Sequence, residues 1–254
     1  MFESVKRRIP SFLRALDFIY PRDCADCGAA VQEGAPFHGR VVPSSFCARC
    51  WGGIKRLDGP RCPLCAVPFP SEAAVLWSPD HRCGECRKIP PLFSKAVTPF
   101  IYEGTLAKAI HLLKYQKQNH LAEPLARLLA DDLAPLPVDR VTAVPLHPRR
   151  LRAREFNQSL LLAERISRLI RRPLLIDPIA RKRETPPQVG LSKKEREKNM
   201  KGAFSVTRPR LVENQRILLI DDVYTTGTTL KESAKTLIQA GAQEVIVAAL
   251  ARMI

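Results

Sequence analysis

"RILLIDDVYTTGTTLKESAKTL", Arg216 to Leu237, runs from apolar residues into two adjacent aspartates, then into a threonine-rich stretch around one glycine. The four apolar residues "ILLI" read as a buried strand, and Leu230, Ala234, Leu237 and Ile238 recur at helical spacing. The segment is therefore strand, turn, helix. In open α/β sheets ligands bind beyond the carboxyl ends of the strands. Asp221 and Asp222 stand at that end, and "VYTTGTT" is the turn into the helix. Backbone N–H groups at a helix N-terminus form an anion site, and Gly227 permits a tight turn and a close approach of phosphate. Thr225, Thr226, Thr228 and Thr229 add hydroxyl donors, or else cap the helix. The carboxylates repel phosphate, but they accept hydrogen bonds from sugar hydroxyls or hold Mg²⁺. A ribose 5-phosphate, with an anion at one end and a cis-diol beside it, suits both groups.

Strand-like and helix-like stretches alternate on either side. "AVTPFIY" (96–102) reads as a strand whose Pro99 marks a sheet edge. "TLAKAIHLLKY" is helical at Leu106, Ile110 and Leu113, and "LAEPLARLLADDL" is a helix with Pro124 in its first turn. "RVTAVPL" (140–146) is a buried strand, and "NQSLLLAERISRLI" a helix with Leu162, Ile166, Leu169 and Ile170 on one face. "PLLI" is a short strand; Gly241 stops the last helix, and "EVIVAAL" is the final strand. This rhythm predicts an α/β fold over residues 91–254, a largely parallel sheet flanked by helices, with Pro90-Pro91 as the boundary.

All eight cysteines lie before that boundary, in four Cys-x-x-Cys pairs: Cys24/Cys27, Cys47/Cys50, Cys62/Cys65 and Cys83/Cys86. Two intervening residues let both sulfurs of a tight turn face one ion, and two such turns complete a four-thiolate zinc site. Joining the first two pairs and the last two leaves spacers of 19 and 17 residues, which suit zinc ribbons. A crossed grouping, first with third and second with fourth, also satisfies the count. A redox pair needs a thioredoxin-like strand and helix beside it, and none of the four has that setting. His38 and His81 read as exposed polar residues, since eight thiols fill two sites. Residues 1–90 are thus expected to form a small domain stabilised by two zinc ions in place of a large core.

The formal charge is +16, and its distribution is uneven. Residues 147–202 hold 16 Lys/Arg against 6 Asp/Glu, a net of +10. Such a block suits a polyanion: phosphate, pyrophosphate or nucleic acid. Residues 1–90 carry a net +4, with 13 Lys/Arg against 9 Asp/Glu. Two zinc tetrathiolates, each about −2, would cancel that. The start, "MFESVKRRIPSFLRALDFIYP", lacks a small-residue cleavage site, so a secretory signal is not expected. It reads as a short amphipathic helix, packed on the body or lying on a membrane surface. No apolar run is long enough to cross a bilayer, and a cytoplasmic location is expected.

The strand, acid pair and Thr-Thr-Gly-Thr-Thr turn resemble the phosphoribosyl pyrophosphate motif of type I phosphoribosyltransferases. "VPLHPRRLRAREFNQS" (144–159), "RKRETPPQVGLSKKEREKNMKGAF" (181–204) and the cysteine pairs narrow the resemblance to the ComF family, competence-associated phosphoribosyltransferase-like proteins. The resemblance covers nearly the whole chain. It implies a double zinc ribbon before a type I phosphoribosyltransferase-like domain, phosphoribosyl pyrophosphate with Mg²⁺ as ligand, and a link to DNA uptake. It assigns the ribose hydroxyls to Asp221 and Asp222 and the 5-phosphate to Thr225 through Thr229. It also carries Arg183, Thr185, Gln188, Arg196 and Asn199 over to a flexible loop that closes on the site. If "TAVPL" runs parallel to "ILLI", the loop after it opens on the same sheet edge as the aspartates, and His147, Arg149 and Arg150 are expected to face the departing pyrophosphate, which needs cations. No segment resembling the nucleobase hood of many phosphoribosyltransferases is apparent, so an acceptor pocket is expected from the cysteine segment or residues 91–120. No N-terminal catalytic cysteine for glutamine is present, which disfavours an amidotransferase.

Two functions are therefore expected: phosphoribosyl transfer to an unidentified acceptor, or single-stranded DNA binding and assembly with competence-machinery proteins. Aromatic residues, the usual stacking platforms for single strands, make up only 6% of the chain, and Phe156 is the one aromatic inside "RRLRAREFNQ".

Overall fold

The computed structural model describes residues 23–31, 36–37, 40–41, 45–76, 78, 80–183 and 193–254. The expected N-terminal helix, His38, Thr185 and Gln188 lie outside the described residues. The chain forms two units, residues 1–53 and 54–254.

In the first unit "CADCG" folds as a knuckle. Gly28 N–H returns to the Cys24 carbonyl at 2.9 Å, with Gly28 in the left-handed region at φ 74°. A two-stranded antiparallel ribbon, β1 (Pro36–Phe37) and β2 (Arg40–Val41), precedes helix α1 (Ala48–Gly52), whose N-cap is Cys47. The second ribbon repeats this build inside the second unit. Ala66 N–H returns to the Cys62 carbonyl at 2.9 Å with φ 58°; helices α2 (Ala73–Leu76) and α3 (Gly84–Lys88) follow, the latter capped by Cys83.

The rest of the second unit is the parallel sheet. Its elements in order are β3 (Lys95–Val97), β4 (Phe100–Ile101), α4 (Gly104–Tyr115), a 3₁₀ turn (Asn119–Leu121), α5 (Ala122–Leu133), β5 (Arg140–Ala143), α6 (Pro148–Arg154) and α7 (Gln158–Leu169). Then come β6 (Ile179–Arg181), α8 (Lys193–Met200), β7 (Phe204–Val206), β8 (Arg216–Tyr224), α9 (Thr228–Gln239) and β9 (Glu244–Arg252). The order across the sheet is β3-β9-β8-β5, with β4 continuing the β3 edge beyond Pro99, and all pairings are parallel. β6 and β7 form a separate two-stranded antiparallel sheet. "PLLI" contributes only a bridge, Leu174 beside Val141, rather than a full strand.

Strand period explains the two faces. Ile217 and Leu219 of β8 and Val245, Val247 and Ala249 of β9 join one core cluster with Leu230, Ala234 and Leu237 of α9. Leu218, Ile220, Ile246 and Ala248 alternate with them and are equally buried, on the face that meets α5 and α7. A strand buried on both faces must be apolar throughout, as "VIVAALA" of β9 is. The second ribbon belongs to the same core, for Cys62, Cys65, Cys86 and Phe93 lie in the α9 cluster. Among the described residues no helix is long and apolar enough to cross a membrane.

Candidate functional site

β8 does not end at its aspartates. It continues through Asp221 and Asp222 to Tyr224, then bends at 225–227 before α9 begins. The N-cap of α9 is Gly227, at φ 73°, a residue with no side chain to cap the helix. None of the threonines is the N-cap residue; Thr226 and Thr228 bond one another through their hydroxyls at 2.8 Å. Asp221, Thr225, Gly227, Thr228 and Thr229 line a small hollow at this helix end. The glycine is required twice over. Besides its left-handed φ, a Cβ here would lie 2.2 Å from the Tyr224 hydroxyl.

The two aspartates are held by residues the motif alone does not reveal. Lys114, at the end of α4, pairs with Asp222 Oδ1 at 2.9 Å, and both side chains are largely buried. Gln158 donates to Asp222 Oδ2 at 2.9 Å. Ser159 donates to Asp221 Oδ1 at 2.9 Å, as does the Asp222 backbone N–H. Asn157 caps α7 by accepting from Ser159 and Leu160 N–H, and it donates to the Val144 carbonyl at 3.0 Å. The "FNQS" sequence thus builds a helix start aimed at the acid pair. Burial, and then the neighbouring Asp222 charge, push the Asp221 carboxyl up to about 7. Burial alone would lower Lys114, but the Asp222 charge and hydrogen bond, with Asp221 behind them, raise it above the ordinary lysine value.

The basic residues divide. His147 caps α6, its Nδ1 accepting from Arg149 N–H at 3.3 Å. Arg149 and Arg150 follow on this helix, which buries none of its residues. Arg154 donates to Gln158 at 3.1 Å and lies over the exposed Tyr115 ring at 4.8 Å, so a cation–aromatic pair borders the acids. Arg183 donates to the carbonyls of Asn199 and Lys201 at 2.7 and 2.8 Å, closing the base of the loop expected to cover the site. Arg196 lies in α8. Arg181, which the sequence reading did not single out, is buried. Burial, and then the nearby Arg150 charge, lower its pKa to about 10, while Asp221 opposes them.

The cysteines resolve into consecutive pairs, Cys24/Cys27/Cys47/Cys50 and Cys62/Cys65/Cys83/Cys86, with the sulfurs of each set within 4.8 Å of one another. The crossed grouping is excluded, and no cysteine is in a disulfide. Cys27 and Cys47 sulfurs are 3.7 Å apart, and Cys65 and Cys83 sulfurs 3.6 Å. Four sulfurs about 2.3 Å from a tetrahedral zinc lie about 3.8 Å from each other, so the residues fit the ion. Burial opposes ionisation of Cys24, yet backbone N–H groups of Cys27 and Cys47 bring it down to about 6. Cys62 is likewise brought down to about 7 against its burial. Burial and neighbouring thiols push Cys50 and Cys86 up, the crowding a dication relieves. His81 belongs to neither set; it lies edge-on to Phe69. A larger hollow of about 500 Å³, between the second ribbon and β3, shares no lining residue with the acid pair.

Residues 15–87 match the double zinc ribbon domain, and residues 157–253 the phosphoribosyl transferase domain. The chain is 35% identical to DNA utilization protein YhgH of Escherichia coli K12, over 82% of this chain and 89% of that one. It is 33% identical to competence protein F of Haemophilus influenzae, over 84% and 92%. Among solved structures it is similar to the glutamine phosphoribosylpyrophosphate amidotransferase of B. subtilis, at 24% identity over 50% of this chain and 25% of that one, with a TM-score of 0.35.

Proposed function

The chain belongs to the ComF family, with a double zinc ribbon and a phosphoribosyltransferase-type domain, and on that premise we propose that it binds phosphoribosyl pyrophosphate with Mg²⁺ and transfers the phosphoribosyl group to an acceptor. One observation carries this reading: an acid pair fixed by Ser159 and Gln158 stands beside the helix start at Gly227. The N–H groups of that helix start, with Thr225 through Thr229, receive the 5-phosphate. Asp221 and Asp222 accept from the ribose hydroxyls. Both are hard oxygen donors of the kind Mg²⁺ takes, and Asp221 Oδ2 has no part in the hydrogen bonds above. Mg²⁺ supplies charge neutralisation at the diphosphate. Arg149, Arg150 and, from the covering loop, Arg183 and Arg196 stabilise the pyrophosphate as it leaves C1. Residues 1–90 serve as the metal-stabilised segment and 91–254 as the donor-binding one. Calorimetry with phosphoribosyl pyrophosphate and Mg²⁺ tests this. Saturable binding to the wild type that is lost in Asp221→Asn supports it; equal binding by both overturns it.

A second reading draws on α6, whose four arginines lie on a helix with no buried residue. In it the protein binds single-stranded DNA in the cytoplasm and meets competence-machinery proteins, in keeping with the names of its relatives. Affinity for an oligonucleotide that falls steeply with added salt supports this reading, and no binding at low salt removes it.

A further inference from the structure

Arg252 ends β9 with only 7% of its surface exposed. Buried arginines are nearly always paired with a carboxylate, because an uncompensated charge is costly to desolvate. Among the described residues none lies within ion-pair distance of Arg252. Instead its guanidinium stacks over the Tyr224 ring at 4.4 Å, and Nη1 donates to the Cys65 carbonyl at 2.6 Å. Cys65 belongs to the second four-cysteine set. Zinc on four thiolates carries a net charge of about −2. That is the counter-charge the guanidinium otherwise lacks.

Tyr224 carries the connection onward. It is 2% exposed, its register partner is Arg252, and its hydroxyl fills the space beneath Gly227, the residue that turns β8 into the start of α9. The Met253 N–H donates to the Tyr224 carbonyl at 3.0 Å, so the two strand ends are also joined through the backbone. We propose that Arg252 is the counter-ion of the second zinc cluster and, through Tyr224, a positioning residue for the anion-binding turn. Removing the metal removes the anionic complex that the buried guanidinium faces. The support beneath Gly227 then weakens. The ribbon is on this account part of the donor site's scaffold. The link to the turn rests on the donor-binding reading; the link to zinc does not.

The full chain with Arg252→Met and Arg252→Lys tests this, with two readouts: zinc transfer to a chromophoric chelator, and calorimetry with phosphoribosyl pyrophosphate and Mg²⁺. In Arg252→Met one zinc is held roughly tenfold or more weakly, the range outer-sphere partners show, and the other as in the wild type. Arg252→Lys, which keeps the charge, holds that zinc more tightly than Arg252→Met does and the other equally well. Donor affinity falls in Arg252→Met and stays low when zinc saturates the cluster, because the guanidinium that joins the cluster to Tyr224 is gone. Wild-type zinc retention in Arg252→Met overturns the proposal, as do equal losses in the Met and Lys variants, which would indicate packing alone. Absence of donor binding in the wild type defeats the donor reading and leaves the zinc readout to judge Arg252. Should Arg252→Met fail to fold, cadmium-113 spectra of Arg252→Lys decide: one cluster's resonance moves and the other stays, or neither moves and the proposal fails.

Discussion

Lys114 and Asp222 show how much of the site depends on single side chains. The pair is largely buried, so each charge is tolerated only because the other is present. Removing the lysine alone leaves a buried carboxylate with Gln158 as its remaining side-chain partner. Lys114→Met is expected to cost roughly 3 kcal/mol in urea unfolding, and Lys114→Met with Asp222→Asn to recover much of it, since breaking a buried pair costs more than replacing it. If the double variant is no more stable than the single one, the pair is not what holds Asp222. The aspartates and Gly227 were legible in the sequence because their chemistry is local: acids at a strand's end and a glycine before a helix. Lys114 was not, because it lies at the end of an ordinary amphipathic helix and meets the acids only once the sheet is formed. Gln158 and Ser159 gave a weaker signal. "FNQS" places Asn157 before a helix, which marks a cap but not what the cap faces.

The parallel sheet was readable because its strands are buried on both faces and so appear as unbroken apolar runs. Where β8 ends was less readable, since pairing with β9 carries the strand through two aspartates to Tyr224. Spacing left both a consecutive and a crossed pairing of the cysteine turns open, and only the fold selects the consecutive one; the joining of the second ribbon to the sheet was not readable either. It rests on contacts such as Ala96 N–H to the Leu64 carbonyl, at 2.7 Å, which no spacing encodes. At the other end of the sheet, Asp139 locks β5 to β8. Its carboxylate accepts from Arg216 Nε and Nη2 at 3.0 and 2.8 Å and from the Arg216 backbone N–H at 2.9 Å. These bonds hold Asp139 down to about 2, below the ordinary 3.8. A depressed carboxyl contributes stability that is present above its unfolded value and lost as pH falls toward its folded one. Urea unfolding of the wild type and Asp139→Asn should therefore differ most above pH 4, with the gap closing between about pH 4 and pH 2. A gap that stays constant across that range would mean that Asp139 acts through packing and not through its charge.

At the scale of the whole molecule, charge separates the two proposed activities. Residues 147–202 carry a net +10 of the chain's +16, and α6 lies inside that block. A small, highly charged donor meets few of these cations, those that reach its pyrophosphate. A single strand lies along many, and each phosphate neutralised adds about 0.7 to the slope of log affinity against log salt. Arg152 and Arg149 can be told apart on this basis. Arg152 is exposed and has no proposed contact with the donor, whereas Arg149 follows the α6 cap and is assigned to the pyrophosphate. Arg152→Gln should leave donor binding unchanged and lower the oligonucleotide salt slope by about 0.7. Arg149→Gln should lower that slope by a similar amount and weaken the donor as well. If neither variant changes the slope, α6 does not carry the strand, and its arginines serve the pyrophosphate or nothing. If Arg152→Gln weakens the donor as much as Arg149→Gln does, the field of the whole block, and not a particular contact, holds the leaving group.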